Sequence, residues 1–200
     1  MARRLEFFFD YGSPYSYVAN GQLPALVARA GATLVYRPML LGGVFKATGN
    51  RSPAAEPIEA KRRYGGLTLL RYAVEAGVPF RPNPHFPIDT LFLMRCAVAA
   101  QRASVFEPFH ARVYPAFWAE GLDLGDREVL GRVLSDAGLD VAALFEGAQA
   151  PEAKAALRAN TDEAVARGAF GAPTFFVGEE LFFGSDHLRF VLRALEAQAA

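Results

Sequence analysis

Leu5-Glu6-Phe7-Phe8-Phe9-Asp10-Tyr11-Gly12-Ser13-Pro14-Tyr15-Ser16 changes character twice within twelve residues. Leu5 to Phe9 is a short apolar and aromatic run, closed by Asp10, Gly12 and Pro14, with the length and bounding of a strand buried on both faces. Ser13 is a favoured N-cap, and Pro14 suits the first helical position, where its missing N–H removes no hydrogen bond. The stretch therefore predicts a strand that turns at once into a helix. Tyr17, Val18, Leu23, Leu26 and Val27 carry that helix to Gly31, with a kink expected at Gly21 and Pro24. Thr33 to Arg37 then reads as a second strand, stopped by Pro38. Strand, helix and strand in this order form a βαβ unit and hence a parallel pair.

Further along, Leu40 to Asn50, with glycines at 42, 43 and 49, reads as a loop. From about Pro57 to Gly168 the pattern is helical. Prolines break up its early part, and Asp89 to Ala103, Phe106 to Ala119, Asp126 to Ala137 and Pro151 to Arg167 each read as helices. The last of these has Pro151 at its start, Gly168 past its end and an i, i+4 pair in Glu163 and Arg167. Strand signals return at Thr174 to Val177 and Leu181 to Phe183, separated by a short turn, and a final helix begins near Ser185. The order βαβ, helical block, ββα predicts an α/β, thioredoxin-like fold interrupted by an all-helical insertion. Residues 1–45 and 169–200 would share one discontinuous domain, and 46–168 would form the insertion.

A chain of 200 residues can bury roughly 70% of its unfolded surface without staples. Lys plus Arg number 21, as do Asp plus Glu, so no net field concentrates nucleic acid or anionic lipid, and small molecules are the expected partners. Lys61-Arg62-Arg63 is too short a cluster for a nucleic-acid patch and reads as a solvated helix face. The single cysteine excludes an intrachain disulfide and dithiol redox chemistry. Cys96 shares a helix face with Leu93, Ala97 and Ala100, so it reads as core, and a reducing cytoplasm is the expected compartment. Neither a signal peptide nor a membrane span is expected, because no run approaches eighteen apolar residues. His85, His110 and His187 stand without ligand spacing, so surface or capping roles and no metal are expected. Met39, Met94 and Trp118 read as packing.

Ser13-Pro14-Tyr15-Ser16 occupies the place where thioredoxin-like oxidoreductases keep Cys-x-x-Cys, with serine at both cysteine positions. Ser13 is either a simple N-cap or the remnant of that site. Pro173, just before a strand, is either an ordinary proline or a cis one that leaves the Ala172 backbone free to pair with an extended peptide. Ser185 and Asp186, at the start of the last helix, are either a capping pair or a site for the ammonium and carboxylate of a γ-glutamyl group.

Four segments taken together resemble a known family: Ser-Pro-Tyr-Ser-Tyr at 13–17, Arg-Pro-Met-Leu-Leu-Gly-Gly-Val-Phe-Lys-Ala-Thr-Gly-Asn at 37–50, Gly-Ala-Phe-Gly-Ala-Pro-Thr-Phe-Phe at 168–176 and Phe-Gly-Ser-Asp-His at 183–187. In order, and across nearly the whole chain, they are similar to the 2-hydroxychromene-2-carboxylate isomerase and kappa-class glutathione transferase family, of DsbA-like fold. The resemblance implies glutathione as cofactor, with Ser13 at the sulfur, Asn50 and Lys61 on the tripeptide, main-chain hydrogen bonds from Ala172, and Ser185 and Asp186 at the γ-glutamyl end. It offers Lys46 for the carboxylate of a small aromatic substrate, against the plainer reading of an exposed loop lysine. It implies glutathione-dependent cis–trans isomerisation of 2-hydroxychromene-2-carboxylate to trans-o-hydroxybenzylidenepyruvate, and a homodimer. A kappa-like transferase or peroxidase is the alternative, and a redox-inactive peptide-binding module a more distant one. Gly-Ser-Asp-His at 184–187 stands where the isomerases usually have Gly-Gln-Asp-Arg, and is closer to the kappa form.

Overall fold

A computed structural model describes residues 3–198; the first and last two positions of the expected thioredoxin-like domain lie outside it. One mixed sheet runs in the order β2 (Thr33–Pro38), β1 (Arg4–Phe9), β3 (Thr174–Val177), β4 (Glu180–Phe183). β1 and β2 are parallel, while β3 is antiparallel to both β1 and β4. The two ends of the chain thus share one sheet. Pro38 belongs to β2 rather than stopping it, which an edge strand permits because no ladder partner lies on its outer side.

The expected helix after β1 is two helices, α1 (Pro14–Asn20) and α2 (Leu23–Ala30). Pro24 lacks an N–H and its ring excludes the carbonyl of residue 20, so the break falls where the kink was expected. The expected loop at 40–50 is instead α3 (Leu41–Thr48), which contradicts the reading of its glycines as turn residues. Gly43 permits a close helix contact here: a Cβ at that position would meet the Thr161 methyl at 3.2 Å. Val44 is buried, and Gly49, at φ +72, ends the helix. The expected domain boundary after residue 45 consequently falls inside α3.

The helical block comprises α4 (Glu59–Glu75), α5 (Leu91–Arg102), α6 (Phe106–Trp118), α7 (Arg127–Asp136), α8 (Val141–Gln149) and α9 (Pro151–Ala166). The sequence reading missed α8, although its signals are present: Asp140 caps it by accepting from Ala143 N–H at 3.0 Å, and Leu144 and Ala148 form its buried face. A single 3₁₀ turn, Ser185–His187, precedes the final helix α10 (Leu188–Ala197).

Alternation along the strands divides the core. Leu5, Phe7, Phe9, Phe175 and Val177 face the main core with most of the helices, and the Phe7 ring stacks on Phe175 at 5.2 Å. Phe8 and Phe176 face the opposite side, where Met39, Val44 and Ala164 cover them. Each fully buried Phe contributes roughly 1.5–3 kcal/mol. Cys96 lies in the main core, and burial pushes its thiol up to about 12, which keeps it protonated at neutral pH. No helix among the described residues is long and apolar enough to cross a membrane.

Candidate active site

Ser13 caps α1 from an extended backbone, φ −97 and ψ 112, and is only 3% exposed. Its Oγ accepts from Ser16 N–H at 3.1 Å and donates to the Ala172 carbonyl at 3.0 Å. The Ala172–Pro173 bond is cis, as is Phe86–Pro87, which the sequence reading did not foresee. One hydroxyl therefore serves both as the N-cap and as a link to the loop before β3. Ser16, the second position of the motif, is buried beneath it. Burial holds the nearby Tyr114 phenol well above its usual range, and neither its hydroxyl nor that of Ser16 has a hydrogen-bond partner among the described residues.

The loop before β3 is tied in turn to the 184–186 turn, because Gly184 N–H donates to the Pro173 carbonyl at 3.1 Å. Gly184 has φ +99, and a Cβ there would lie 2.5 Å from Asp186 Oδ1, so only glycine fits. Ser185 is 7% exposed, and its Oγ has no hydrogen-bond partner among the described residues. Asp186 is exposed and α1 packs against this turn, which brings Ser13, Ala172, Ser185 and Asp186 together. Tyr15 and Tyr72 lie near Asp186. Burial raises the Tyr15 phenol first, then the neighbouring Tyr72 and the charge of Asp186; Tyr72 is raised by desolvation, then by Asp186 and Glu75. Neither tyrosine was nominated from sequence.

The remaining candidates are less closely gathered. Asn50 is exposed; its Nδ2 donates to the Phe170 carbonyl at 2.7 Å, and Phe170 packs on Phe183 with centroids 4.3 Å apart. Asn50 therefore touches the loop that carries Ala172. Lys61 is exposed in the first turns of α4, eleven residues before Tyr72 and so roughly 16 Å of helix away from the Asp186 end. Lys46 is exposed in the last turn of α3, where it complements the helix dipole and has no ion-pair partner among the described residues.

Two functional-looking residues escaped the sequence reading. Asp10, read only as the end of β1, is fully buried behind Ser13. Its Oδ1 accepts from Gly12 N–H at 2.9 Å, and its Oδ2 accepts from Leu41 N–H at 2.8 Å and the Thr90 hydroxyl at 3.0 Å. Burial raises its pKa to about 6, partly offset by these donors. The local signal was an Asx turn, Asp10 two residues before Gly12, but the partners at 41 and 90 are visible only in the fold. His110 contradicts the expected surface or capping role. Its Nδ1 lies 2.8 Å from the Tyr11 hydroxyl and its Nε2 2.9 Å from Asn20 Oδ1, inside a box of aromatic rings that includes Phe9 and Tyr36. An amide oxygen only accepts, so Nε2 carries the proton and Nδ1 accepts from Tyr11. Burial lowers its pKa to about 3.

Residues 4–196 match the model of the DSBA-like thioredoxin domain. A 2-hydroxychromene-2-carboxylate isomerase of Sphingobium xenophagum is 32% identical over 96% of this chain and 97% of its own. The chain belongs to the family of 2-hydroxychromene-2-carboxylate isomerases and kappa glutathione transferases. From its kappa side, glutathione S-transferase kappa 2 of Caenorhabditis elegans is also 32% identical, over 92% of this chain and 88% of that one. Among solved structures, a 2-hydroxychromene-2-carboxylate isomerase superimposes with a TM-score of 0.81 at 27% identity, covering 98% of this chain and 96% of that one. In this isomerase–kappa family member Ser13 is joined to Ala172, and the loop carrying Ala172 is joined to the turn carrying Ser185.

Proposed function

We propose that the protein is a glutathione-dependent cis–trans isomerase of 2-hydroxychromene-2-carboxylate or a similar intermediate of aromatic catabolism. The observation that carries this reading is the Ser13–Ala172 hydrogen bond beside the unpartnered hydroxyl of Ser185. A buried hydroxyl without a partner is costly, and a ligand carboxylate accepting from Ser185 removes that cost. The residues present thus fit a γ-glutamyl tripeptide: Ser185 for its carboxylate, Asp186 for its ammonium, Ala172 for its main chain and Ser13 for its sulfur.

Bound there, glutathione supplies a thiol whose conjugate base adds reversibly to an electron-poor double bond, allowing rotation, and is recovered unchanged. Ser13 and Ala172 satisfy each other, so ligand engagement exchanges one hydrogen bond for two: the Ala172 carbonyl accepts a ligand N–H, and the Ser13 hydroxyl turns to the sulfur. A hydrogen bond to a charged group is worth about 1.5–3 kcal/mol, or one to two pKa units on the thiol. The N-terminus of α1 adds roughly 0.3–1 kcal/mol. Asp10 fixes Gly12, Leu41 and Thr90 around the base of the site and so holds Ser13 in place. Tyr15 and Tyr72 provide aromatic surface beside the groove for an aromatic carboxylate, and Lys46 remains the candidate for its charge.

The kappa relatives support a second reading, in which the same groove serves a transferase or peroxidase that consumes the thiol. Product analysis with 2-hydroxychromene-2-carboxylate separates the two: the proposal expects isomerised product with glutathione recovered, and a conjugate or disulfide overturns it. Calorimetry with glutathione tests the groove itself, and absence of binding leaves only the peptide-binding module. Ser13→Ala is expected to lower turnover at least tenfold while glutathione binding largely survives; unchanged turnover sinks the role of Ser13. A homodimer in the cytoplasm, where thiols are kept reduced, completes the proposal, with sedimentation velocity to test its stoichiometry.

A further inference from the structure

Away from the proposed glutathione groove, α3, α5 and α9 line an open cavity of about 560 Å³, within the roughly 300–1,000 Å³ of small-molecule sites. Leu91, Leu157 and Val165 give it apolar walls. Three cations converge on it, Arg95 from α5 and Lys154 and Arg158 from α9, against one carboxylate, Asp162. Asp162 pairs with Arg158 at 3.5 Å. Arg95 and Lys154 have no ion-pair partner among the described residues. Arg95 Nε is moreover shut off from solvent without any hydrogen-bond partner. A guanidinium N–H in that position is costly until an acceptor reaches it. None of Ser13, Ala172, Ser185 or Asp186 borders the cavity.

From this geometry we propose that the cavity is a second ligand site, separate from the glutathione groove, for a small amphipathic anion. The apolar body of such a ligand, a ring or a short chain, lies against Leu91, Leu157 and Val165. Its carboxylate, or an equivalent acidic head, accepts from Arg95 and faces Lys154 at the rim. An apolar cavity lined by two cations without ion-pair partners selects against neutral molecules and against cations, because neither offers Arg95 and Lys154 a counter-charge.

The test uses 1-anilinonaphthalene-8-sulfonate as a fluorescent probe on the full chain. One molecule is expected to bind per chain, to be displaced by octanoate and to remain in place under saturating glutathione. Lys154→Glu, at an exposed position, and Arg95→Met, which keeps the apolar stem, are each expected to weaken the probe tenfold or more, while Ser13→Ala leaves it unchanged. Should Arg95→Met fail to fold by circular dichroism, Lys154→Glu decides alone. A change of less than tenfold in Lys154→Glu, or displacement of the probe by glutathione, overturns the proposal. Glutathione titration of the same samples reads the first groove independently, so failure at one site is not mistaken for failure at the other.

Discussion

The two sides of the proposed glutathione groove are built differently. On the side of β1 and residues 172–185, the functional groups are buried and bonded to one another: Asp10 to Gly12, Leu41 and Thr90, Ser13 to Ala172, and Gly184 to Pro173. On the side of residues 50–75, Asn50 and Lys61 are exposed, and Ile58, Tyr64, Leu67, Leu70 and Val74 present large apolar groups to solvent, Val74 with 81% of its surface. The buried side is preorganised, so changes to its bonded groups act on stability and on the site together. The open side has little packing to lose, so changes there act on ligand contacts alone.

The largest expected effect on the buried side is a pair of opposed pH dependences around Tyr11. His110 has a folded pKa of about 3, below an unfolded value of about 6.5, so the unfolded chain binds more protons between them and stability is lost as pH falls through that window. The full difference is about 5 kcal/mol. His110→Gln is expected to flatten the acid limb of a urea-denaturation series run from pH 7 to pH 3, and an unchanged limb breaks the assignment of a neutral buried imidazole. Asp10 runs the other way. Its folded pKa of about 6 lies above the unfolded value of about 3.9, so its contribution is full below pH 4 and is lost as pH rises through 6. Asp10→Asn removes that loss, worth about 3 kcal/mol between pH 4 and pH 7. It also leaves the Leu41 N–H without its acceptor, which costs about 1–3 kcal/mol at every pH. Relative to the parent, the Asn variant should therefore gain stability steadily from pH 4 to pH 7; a constant difference contradicts the raised carboxyl.

These two residues also mark the limit of what was legible in the sequence. Ser13 as a cap, the sheet strands and the break at Pro24 follow from neighbours within a few residues, where propensity and N–H accounting suffice. Asp10 has one partner two residues away and two others at 41 and 90, and His110 bridges 11 and 20, so their roles exist only after α3, α5 and α6 have docked. α3 went unrecognised for the same reason. Gly42 and Gly43 lower helix propensity locally, and close packing on Thr161 overrides it. In Ser185 the sequence offered a cap, whereas the fold buries its hydroxyl without a hydrogen-bond partner among the described residues.

That hydroxyl and the lysine on the open side give the comparison its finest test. Ser185→Ala removes a buried group that nothing among the described residues satisfies, so stability should hold or rise slightly. The hydrogen bond it would give a γ-glutamyl carboxylate is worth about 1.5–3 kcal/mol, so glutathione affinity should fall about 10- to 100-fold by calorimetry. Lys61→Ala, in contrast, removes one solvent-screened contact, worth about 0.2–1 kcal/mol, so affinity should fall less than about fivefold with stability unmoved. If Lys61→Ala proves the more damaging of the two, the open side carries the binding energy and the preorganised side serves only to hold the fold.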